Sequence, residues 1–477
     1  MIRYSLGRIL MAEGALMVLP LVVALYYGEP VKDFLLPIVI LLVCGWLCGI
    51  RKPENAALFA RDGFAVVSLA WIALSLFGAL PFYFSGFMPS FIDCFFETVS
   101  GFTTTGATIL ENVEALPQGL MFWRCFTHWI GGMGVLVFVM AVLPLSNDVH
   151  GMHLLRAEVP GPIVGKLVSR MSDTAKILYG IYLVMTIVLI VLLMLGGMSW
   201  FDACIHGFAT AGTGGFSNQA ASVGAYNNSY FDVVIGVAML MFGINFNLFY
   251  FVLIGRIRDV WKSEELRAYL GVVGISVVII AIDLIQMYGS FVTCLRHAFF
   301  QVSSIITTTG FATVNFNHWP ALSRTILVIL MIVGACAGST GGGMKMARWV
   351  ILTKASICDM KKMLHPNAVA PVRFEGKTLT DKQVRSVHLY LTVYILLFAI
   401  SALLLSLADM DLVTNFTAIA ACFNNVGPGL GTVGPMDNFG FFPGPAKLLL
   451  CFCMLAGRLE IFPLLLLFAP SRWKRRS

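Results

Sequence analysis

The sequence predicts an all-α polytopic membrane protein. Four M1-P-M2 repeats (helix, re-entrant pore loop, helix) are expected in a pseudo-fourfold arrangement, after two extra N-terminal helices. The chain of 477 residues is 58% hydrophobic and 12% charged, and its mean hydropathy is +0.85, whereas soluble domains are about 25% charged. Long apolar runs recur along the chain, and a glycine-anchored motif occurs four times among them, so the repeat decides the architecture.

Ten apolar runs are candidates for membrane spans, because about 20 apolar residues in a helix cross the hydrocarbon core. The first run follows Arg3 and Arg8 as a signal peptide would, but it contains Glu13 and no convincing cleavage site. We therefore interpret it as the first transmembrane helix. The run at 320–350 is interrupted by glycines. The nine uninterrupted runs lie at 9–27, 34–50, 64–87, 121–145, 177–197, 230–254, 266–287, 385–407 and 445–470.

The basic residues indicate topology rather than a nucleic-acid partner. With the N-terminus inside, the predicted cytoplasmic segments contain 26 of the 32 Lys and Arg residues, nine of them at 345–385. An excess of Lys and Arg in cytoplasmic loops is the positive-inside signature of membrane proteins. The charge therefore predicts a multi-pass protein with both termini cytoplasmic, and no nucleic-acid partner is expected.

Each copy of the motif is anchored on one glycine. The first and third copies are closely similar and read ETVSGFTTTGAT and QVSSIITTTGFAT. The second reads HGFATAGTGGFS, and the fourth, which is more divergent, reads CFNNVGPGLG. The anchors are Gly106, Gly215, Gly310 and Gly427, which lie 109, 95 and 117 residues apart.

The register of the second copy is open between Gly212 and Gly215, because FATAG also resembles the FTTTG of the first copy. We choose Gly215, since Asp202 then aligns with Asp93, each thirteen residues before its anchor. The helix dipole favours a carboxylate at or near the start of a short helix. These two aspartates are therefore expected to cap helices rather than to coordinate ions.

The repeat divides the chain into five predicted units. The N-terminal two-helix unit covers 1–63, and the pore repeats cover 64–176, 177–265, 266–384 and 385–477. In each repeat, an amphiphilic segment too short to cross the membrane precedes the glycine loop. These segments lie at 90–102, 199–208, 291–306 and 412–423.

The four glycine loops predict an ion pathway. Non-helical backbone at membrane depth is tolerated only where it is buried or lines a water-filled cavity, and rings of carbonyls can replace the hydration shell of a cation. A single such motif is more often a packing patch of small residues, but four copies favour a selectivity filter. The predicted filter residues are Thr104, Thr105, Gly106, Thr213, Gly214, Gly215, Thr308, Thr309, Gly310, Asn425, Val426 and Gly427.

The third repeat contains a predicted gate. Its second helix has only nine apolar residues, at 325–333, before a glycine-rich run, and nine helical residues span about 14 Å. A break halfway through the bilayer would obstruct or free the pathway, and a local kink with tight helix packing is the alternative. The predicted gate residues are Gly334, Gly338, Ser339, Thr340, Gly341, Gly342, Gly343 and Arg458.

Arg458 is included because a charged residue inside an apolar run costs about 2.5–3.5 kcal/mol on insertion scales. It should face the protein interior and find carbonyls or a carboxylate. One interpretation is a structural pair with Glu460 or another acid, and the other is an electrostatic barrier in the pore.

Other kinds of site are excluded by their context. The GLGTVG at 429–434 follows no predicted strand and precedes Pro435, so it is not a dinucleotide site, and the GSTGGGMK at 338–345 lacks the ending of a P-loop. The eleven Cys residues show no ligand spacing and are expected to serve in packing. His150 and His153 lack a third ligand nearby. No paired nucleophile and base indicates an enzyme.

The four loops closely resemble those of the TrkH family, together with HWIGGMG at 128–134, AEVPGP at 157–162, the GSTGGGMK run and GRLEIFP at 457–463. That family comprises the membrane subunits of bacterial Trk potassium uptake systems, in the Trk/Ktr/HKT superfamily. The resemblance covers nearly the whole chain. It implies a single-chain pore in the bacterial inner membrane, in contact with lipid, and a homodimer. It also implies a cytosolic ring of TrkA-type regulatory subunits. Nucleotide is expected only on that partner, and this chain is expected to hold no cofactor, with K+ as its transported ligand.

The resemblance also bears on selectivity and gating. In this superfamily a Ser in place of the first-loop glycine accompanies Na+ permeation, so four anchor glycines favour K+. The resemblance likewise favours the barrier interpretation of Arg458. The fourth loop has Asn424, Asn425 and Pro428 where the others carry Thr or small residues, so less regular coordination is expected there.

Two functions stay open. The first is a gated, potassium-selective conduit that moves ions down their electrochemical gradient. The second is a symporter that couples K+ to H+ or Na+, which would need titratable groups deep in the spans. Glu13 lies outside the repeats, so Asp283, in the run at 266–287, is the lone candidate for such a group.

Overall fold

The computed structural model describes residues 2–50, 60–134, 171–367 and 369–468. The described chain is almost entirely helical, and the all-α prediction is confirmed. Six of its helical segments are long and apolar enough to cross a membrane. The motif at 157–162 and both His150 and His153 lie outside the described residues.

The chain begins with three helices, of which the first and the third pack antiparallel. They are α1 (Ile2–Leu16), α2 (Val18–Tyr27) and α3 (Lys32–Gly49). Gly7 of α1 lies against Gly45 of α3, and Gly14 lies against Leu41, so the two backbones approach closely along their length. Small residues at such a crossing permit tight helix packing in a membrane.

The remaining elements follow in four stretches. The first contains α4 (Ala60–Gly78), α5 (Leu80–Phe84), α6 (Phe91–Phe102) and α7 (Gln118–Gly132). The second contains α8 (Met171–Leu195), α9 (Trp200–Gly212), α10 (Ser229–Phe242), α11 (Phe246–Leu253) and α12 (Ile257–Lys262). The third contains α13 (Glu264–Asp283), α14 (Ile285–Tyr288), α15 (Phe291–Ile306), α16 (Ala321–Val333), α17 (Met346–Leu364) and the two-residue strands β1 (Arg373–Phe374) and β2 (Lys377–Thr378). The fourth contains α18 (Asp381–Leu405), α19 (Leu412–Phe423), α20 (Gly444–Arg458) and α21 (Phe462–Leu467).

Short 3-10 turns complete the backbone at Ser222–Tyr226, Phe316–His318, Ser406–Ala408 and Gly431–Val433. The strands β1 and β2 pair antiparallel, with Arg373 opposite Thr378. Helices α6, α9, α15 and α19, called the short helices below, each precede one glycine loop. Most residues of the short helices are buried, so these helices lie inside the protein while the longer ones surround them.

Two predicted spans are not continuous. The run at 230–254 contains α10 and α11, which meet at 94°, because the Asn245 side chain accepts a hydrogen bond from the Asn247 N–H and starts a new helix. The run at 445–470 breaks after Arg458, where Glu460 and Ile461 adopt positive φ angles of 54° and 67°. Hydropathy detects neither break, since the residues on both sides are apolar. In the run at 121–145, α7 ends at Gly132 and the residues from 135 onward lie outside the described part.

The predicted capping role of Asp93 and Asp202 is wrong. Both lie in the first turn of a short helix, but Ser199 caps α9 by accepting from the Asp202 N–H at 3.1 Å. The Asp202 carboxylate accepts from Asn218 Nδ2 at 2.6 Å, and Asp93 pairs with Lys447 at 2.7 Å. Each aspartate lies three residues past the N-cap residue, and its side chain bonds to partners outside its own helix.

An aspartate does cap the fourth short helix. Asp411 precedes α19, and its carboxylate accepts a hydrogen bond of 3.0 Å from the Thr414 N–H. Hydrogen bonds from the Thr414 side chain and backbone lower the pKa of Asp411, because they stabilise the charged form.

Candidate functional site

The four anchor glycines meet in a closed ring. At each anchor, an added Cβ would overlap the carbonyl oxygen of a residue in the next loop. The overlaps pair Gly106 with Gly214, Gly215 with Thr309, Gly310 with Val426, and Gly427 with Thr105. The neighbours therefore follow chain order, and the fourth loop closes on the first.

The ring contains Gly215 and not Gly212. Gly212 is the last residue of α9, and a Cβ added there would overlap the carbonyl oxygen of His128 on α7. The register chosen from the sequence therefore places the second loop against its two neighbours, while the rejected glycine serves helix packing.

The backbone has the same unusual form in each loop. The anchors Gly106, Gly215, Gly310 and Gly427 have φ angles of 82°, 76°, 85° and 96°. The residues two positions earlier, Thr104, Thr213, Thr308 and Asn425, have φ angles of 54°, 56°, 59° and 56°. The residue between them keeps a negative φ, so handedness alternates along the loop and successive carbonyls can turn toward the same side.

This geometry carries strain at the non-glycine positions. A left-handed conformation costs an L-residue about 1–2 kcal/mol, and such strain persists only where the surroundings enforce it. Thr103 and Thr105 share a hydroxyl hydrogen bond of 2.8 Å, and Thr307 and Thr309 share another of the same length. The first and third loops, which are the most similar in sequence, are therefore braced in the same way.

The fourth loop is held differently. The Asn425 amide Nδ2 donates to the Thr105 hydroxyl at 3.0 Å and to the Met454 carbonyl at 2.9 Å. A longer amide side chain thus joins the fourth loop to the first and to α20, where the first and third loops use their own hydroxyls. Asn425 is one of the residues from which a less regular fourth loop was expected.

The glycine-rich segment from Gly334 to Lys345, called the gate loop below, separates α16 from α17 and lies directly against the ring. The Gly342 N–H donates to the Thr308 hydroxyl at 2.6 Å, and the Gly343 N–H donates to the Asn424 carbonyl at 3.0 Å. A Cβ added at Gly341 would lie 2.9 Å from the Thr307 carbonyl oxygen. The third and fourth glycine loops are therefore in contact with the loop predicted to obstruct the pathway.

Thr308 and Thr104 occupy equivalent places but differ in their contacts. The Thr308 hydroxyl accepts from the gate loop, whereas the Thr104 hydroxyl has no hydrogen-bond partner within the described residues. Among the described residues, the gate loop thus forms a hydrogen bond with the hydroxyl of Thr308 but not with that of Thr104.

The rest of the gate loop is fixed by bonds within the loop and by one bond to α10. Gly334, Gly338 and Gly343 have φ angles of 72°, 71° and 75°, which glycine adopts without strain. The Ser339 hydroxyl donates to the Cys336 carbonyl at 2.7 Å, and the Thr340 hydroxyl donates to the Phe242 carbonyl at 3.2 Å. Lys345 donates to the Gly341 carbonyl, so the loop is folded back on itself.

Arg458 joins this loop to α7. Its Nη1 donates to the Thr340 carbonyl at 2.7 Å, and its Nη2 donates to the carbonyls of Gly131 and Gly132 at 2.6 and 3.2 Å. The carboxylate of Glu460 instead pairs with Arg348 at 2.5 Å. Of the two interpretations of Arg458, the pairing with Glu460 is therefore not the arrangement in the structure, and the guanidinium lies among backbone carbonyls.

Sequence reasoning missed the role of Glu265. Its Oε1 accepts from the Ala337 N–H at 2.6 Å and from the Ala347 N–H at 3.1 Å. One bond lies within the gate loop and the other in the first turn of α17, so a single buried carboxylate holds both. In the sequence, Ser263 followed by Glu264 and Glu265 indicates only the start of a helix, and only the fold brings Glu265 to the loop.

The chain is similar to proteins of one family along nearly its whole length. Residues 32–475 match the TrkH family, described as a cation transport protein. The chain is 38% identical to the Trk system potassium uptake protein TrkH of Salmonella typhimurium over 478 residues, with 98% of each chain covered. It is 36% identical to the Trk system potassium uptake protein TrkG of Escherichia coli strain K12, with 95% and 94% covered. The crystal structure of the potassium transporter TrkH from Vibrio parahaemolyticus superposes with a TM-score of 0.89 at 36% identity, and 99% of each chain is covered.

Proposed function

The chain belongs to the TrkH family of cation transport proteins, and from that premise we propose that it is a gated, potassium-selective conduit for K+ uptake. It is not an enzyme. The single observation that carries the proposal is the closed ring of Gly106, Gly215, Gly310 and Gly427, in which each loop presents backbone carbonyls beside the next.

Selection would operate through these carbonyls. A dehydrated monovalent cation needs oxygen ligands in place of its water shell, and a ring of backbone carbonyls supplies them without a fixed negative charge. The C-terminal ends of the four short helices precede the loops, and the negative end of a helix dipole favours a cation there. Glycine at each anchor leaves room that a side chain would fill.

Gating would operate through the gate loop and Arg458. The gate loop bonds to Thr308 and to the Asn424 carbonyl, so a K+ ion leaving the ring would have to displace it. Arg458 adds a positive charge next to the same path and ties the loop to α7 through Thr340 and Gly131. Opening requires that these bonds break together.

The relatives extend the proposal to location and partners. Membership in this family supports a multi-pass protein of the bacterial cytoplasmic membrane, with both termini cytoplasmic and a homodimeric assembly. A cytosolic TrkA-type subunit would bind the regulatory nucleotide and act on the gate loop through α17, which begins one residue after Lys345.

Uptake of rubidium in cells that lack their own potassium transporters tests the proposal. We expect uptake to depend on this chain and to increase when a TrkA-type subunit is produced with it. Absence of rubidium uptake in both cases, with the chain present in the membrane, would contradict a potassium conduit.

A further inference from the structure

A buried ion pair lies beside the first and second filter loops. Glu97 of α6 and Arg124 of α7 are 2.6 Å apart, and their side chains are 0% and 2% exposed. Charges this deeply buried are stable only when further hydrogen bonds satisfy them. The additional partners of this pair therefore show what the charges hold in place.

Glu97 holds the chain that leaves the first loop. Its carboxylate oxygens accept from the Thr108 hydroxyl at 2.9 and 3.1 Å and from the Ile109 N–H at 3.0 Å. Thr108 and Ile109 follow Gly106 by two and three residues. The carboxylate thus fixes the exit of the first filter loop against its own short helix.

Arg124 holds the second loop. Its Nη1 donates to the Ser217 carbonyl at 3.0 Å, and its guanidinium carbon lies 3.6 Å from the centre of the Phe216 ring. Phe216 and Ser217 directly follow Gly215. The planar guanidinium can serve a carboxylate, a carbonyl and a ring face at once, which an ammonium group cannot do.

The position nine residues before the anchor glycine is occupied by a different residue in each repeat. In chain order these residues are Glu97, His206, Gln301 and Ala418. His206 shares a hydrogen bond of 3.2 Å with the Ser217 hydroxyl, the counterpart of the contact between Glu97 and Thr108. The fully buried Gln301 amide has no such partner among the described residues, where Ala312 replaces the hydroxyl. Only the first repeat places a charge here.

The bonds that join the other neighbouring loops directly are neutral, although ion pairs link helices next to two of these boundaries, Asp232 with Arg296 and Asp93 with Lys447. The Gly224 N–H donates to the Ala312 carbonyl at 3.0 Å between the second and third loops. Asn317 and Gly431 exchange two bonds between the third and fourth, and the Phe439 N–H donates to the Thr108 carbonyl between the fourth and first. The contact of the first loop with the second therefore depends on the ion pair more than the other contacts depend on charge.

We infer that the Glu97 and Arg124 pair positions the first two filter loops relative to each other and so sets the discrimination between K+ and Na+. The inference rests on the proposed filter. Removing the pair would let the Ser217 carbonyl and the Thr108 segment relax, which loosens the spacing of the carbonyls on one side of the ring. A smaller cation with a stronger hydration shell is then excluded less well.

The test uses the full-length protein in liposomes, with the ratio of Na+ to K+ permeability taken from reversal potentials. The double variant Glu97→Gln with Arg124→Met removes both charges, so no lone charge is left buried. We expect the permeability ratio to rise by about tenfold, because exclusion of Na+ depends on the arrangement of the coordinating carbonyls. The variant Arg124→Lys keeps the positive charge but lacks the planar, forked guanidinium. We expect its permeability ratio to lie between those of the wild type and the double variant.

The matched control is Asp232→Asn with Arg296→Met, which removes another ion pair, 3.5 Å apart, between α10 and α15. Its permeability ratio should stay at the wild-type value. Gly106→Ser tests the filter independently. If Gly106→Ser changes the ratio and the folded pair variants do not, the inference fails and the proposed function stands. If none of them changes it, the filter assignment fails as well. Should the double variant not fold, an unchanged ratio in folded Arg124→Lys is sufficient to overturn the inference.

Discussion

The guanidinium of Arg458 donates a hydrogen bond of 2.7 Å to the backbone carbonyl of Thr340. Through this bond the end of α20 holds the middle of the gate loop. The same guanidinium bonds to Gly131 and Gly132 at the end of α7, so one side chain connects three segments that are distant in sequence. A carbonyl accepts from arginine without neutralising it, and the positive charge therefore stays available to repel a cation.

Replacing Arg458 with Gln should raise the basal cation flux. The variant loses the charge and at least one charge-assisted bond to Thr340 or Gly131, each worth about 1.5–3 kcal/mol, so flux without any partner should rise by about tenfold or more. Rubidium flux into liposomes measures it. Arg256→Gln, at an exposed arginine, is the control. Unchanged flux in well-folded Arg458→Gln would remove this residue from gating.

Replacing Gly106 with Ser should raise Na+ permeability relative to K+. The added side chain would overlap the Gly214 carbonyl oxygen, so the first and second loops must move apart and the carbonyl spacing must change. Reversal potentials under opposed Na+ and K+ gradients report the ratio. Gly86→Ser is a close control, because Gly86 also has a positive φ, of 72°, but faces open space. If both ion preferences stay unchanged in Gly106→Ser, the assignment of the filter is wrong.

Replacing Gly342 with Ala should favour the open gate. A methyl group there would overlap the Asn424 carbonyl oxygen, and the gate loop can escape this clash only by moving away from the ring. We expect higher basal rubidium flux, while Gly271→Ala, where an added Cβ meets open space, should behave as wild type. A basal flux in well-folded Gly342→Ala that is unchanged or lower would contradict the prediction that displacing this loop opens the path.

Replacing Glu265 with Ala should lower stability and raise basal flux together. The Ala337 and Ala347 N–H groups would lose their shared acceptor, and a buried donor without a partner costs about 1–3 kcal/mol. Thermal unfolding in detergent and rubidium flux measure the two effects. The neighbouring Glu264 pairs with Lys354 at a partly exposed position, where a salt bridge contributes about 0–1 kcal/mol, so Glu264→Ala should change little. Equal stability losses in the two variants would contradict the proposed role of Glu265.

The reversal potential should follow the K+ gradient alone. Asp283 accepts from the Ser323 hydroxyl and N–H at 2.6 and 3.2 Å, which is a helix-capping contact. Glu13 of α1 is buried and its carboxylate lies against Gly78 of α4. Neither carboxylate is part of the ring. Changing pH on one side at fixed K+ should therefore leave the reversal potential where it was, and a shift would favour symport with protons.

The sequence alone predicted the bounds of a short helix correctly where polar or glycine residues mark both of its ends. The segments at 291–306 and 412–423 coincide with α15 and α19, because polar or glycine residues bound an amphiphilic stretch on both sides. The segment predicted at 199–208 instead continues to Gly212, since Thr210 and Ala211 fit a helix as well as a loop. The repeat boundaries stay a prediction.

The remaining features that were not predicted are breaks within apolar runs and contacts between residues distant in sequence. The breaks after Phe242 and after Arg458 lie within apolar runs, and hydropathy reports only how apolar a run is. Proximity in sequence made Glu460 one of the possible partners of Arg458, but the Glu460 carboxylate pairs with Arg348. Glu265 lies 72 residues before Ala337, and no local pattern connects them.

The different contacts of Thr104 and Thr308 have a consequence for the conducting form. While the gate loop is bound, two chemically matching positions of the ring are unequal, because the Thr308 hydroxyl is hydrogen-bonded and the Thr104 hydroxyl has no hydrogen-bond partner in the described part of the chain. Withdrawal of the loop releases the Thr308 hydroxyl and makes the two positions alike. The ring would therefore be more symmetric with the gate loop withdrawn than with it bound. An ion that passes through the open pathway would meet more evenly arranged ligands than an ion held while the loop is bound.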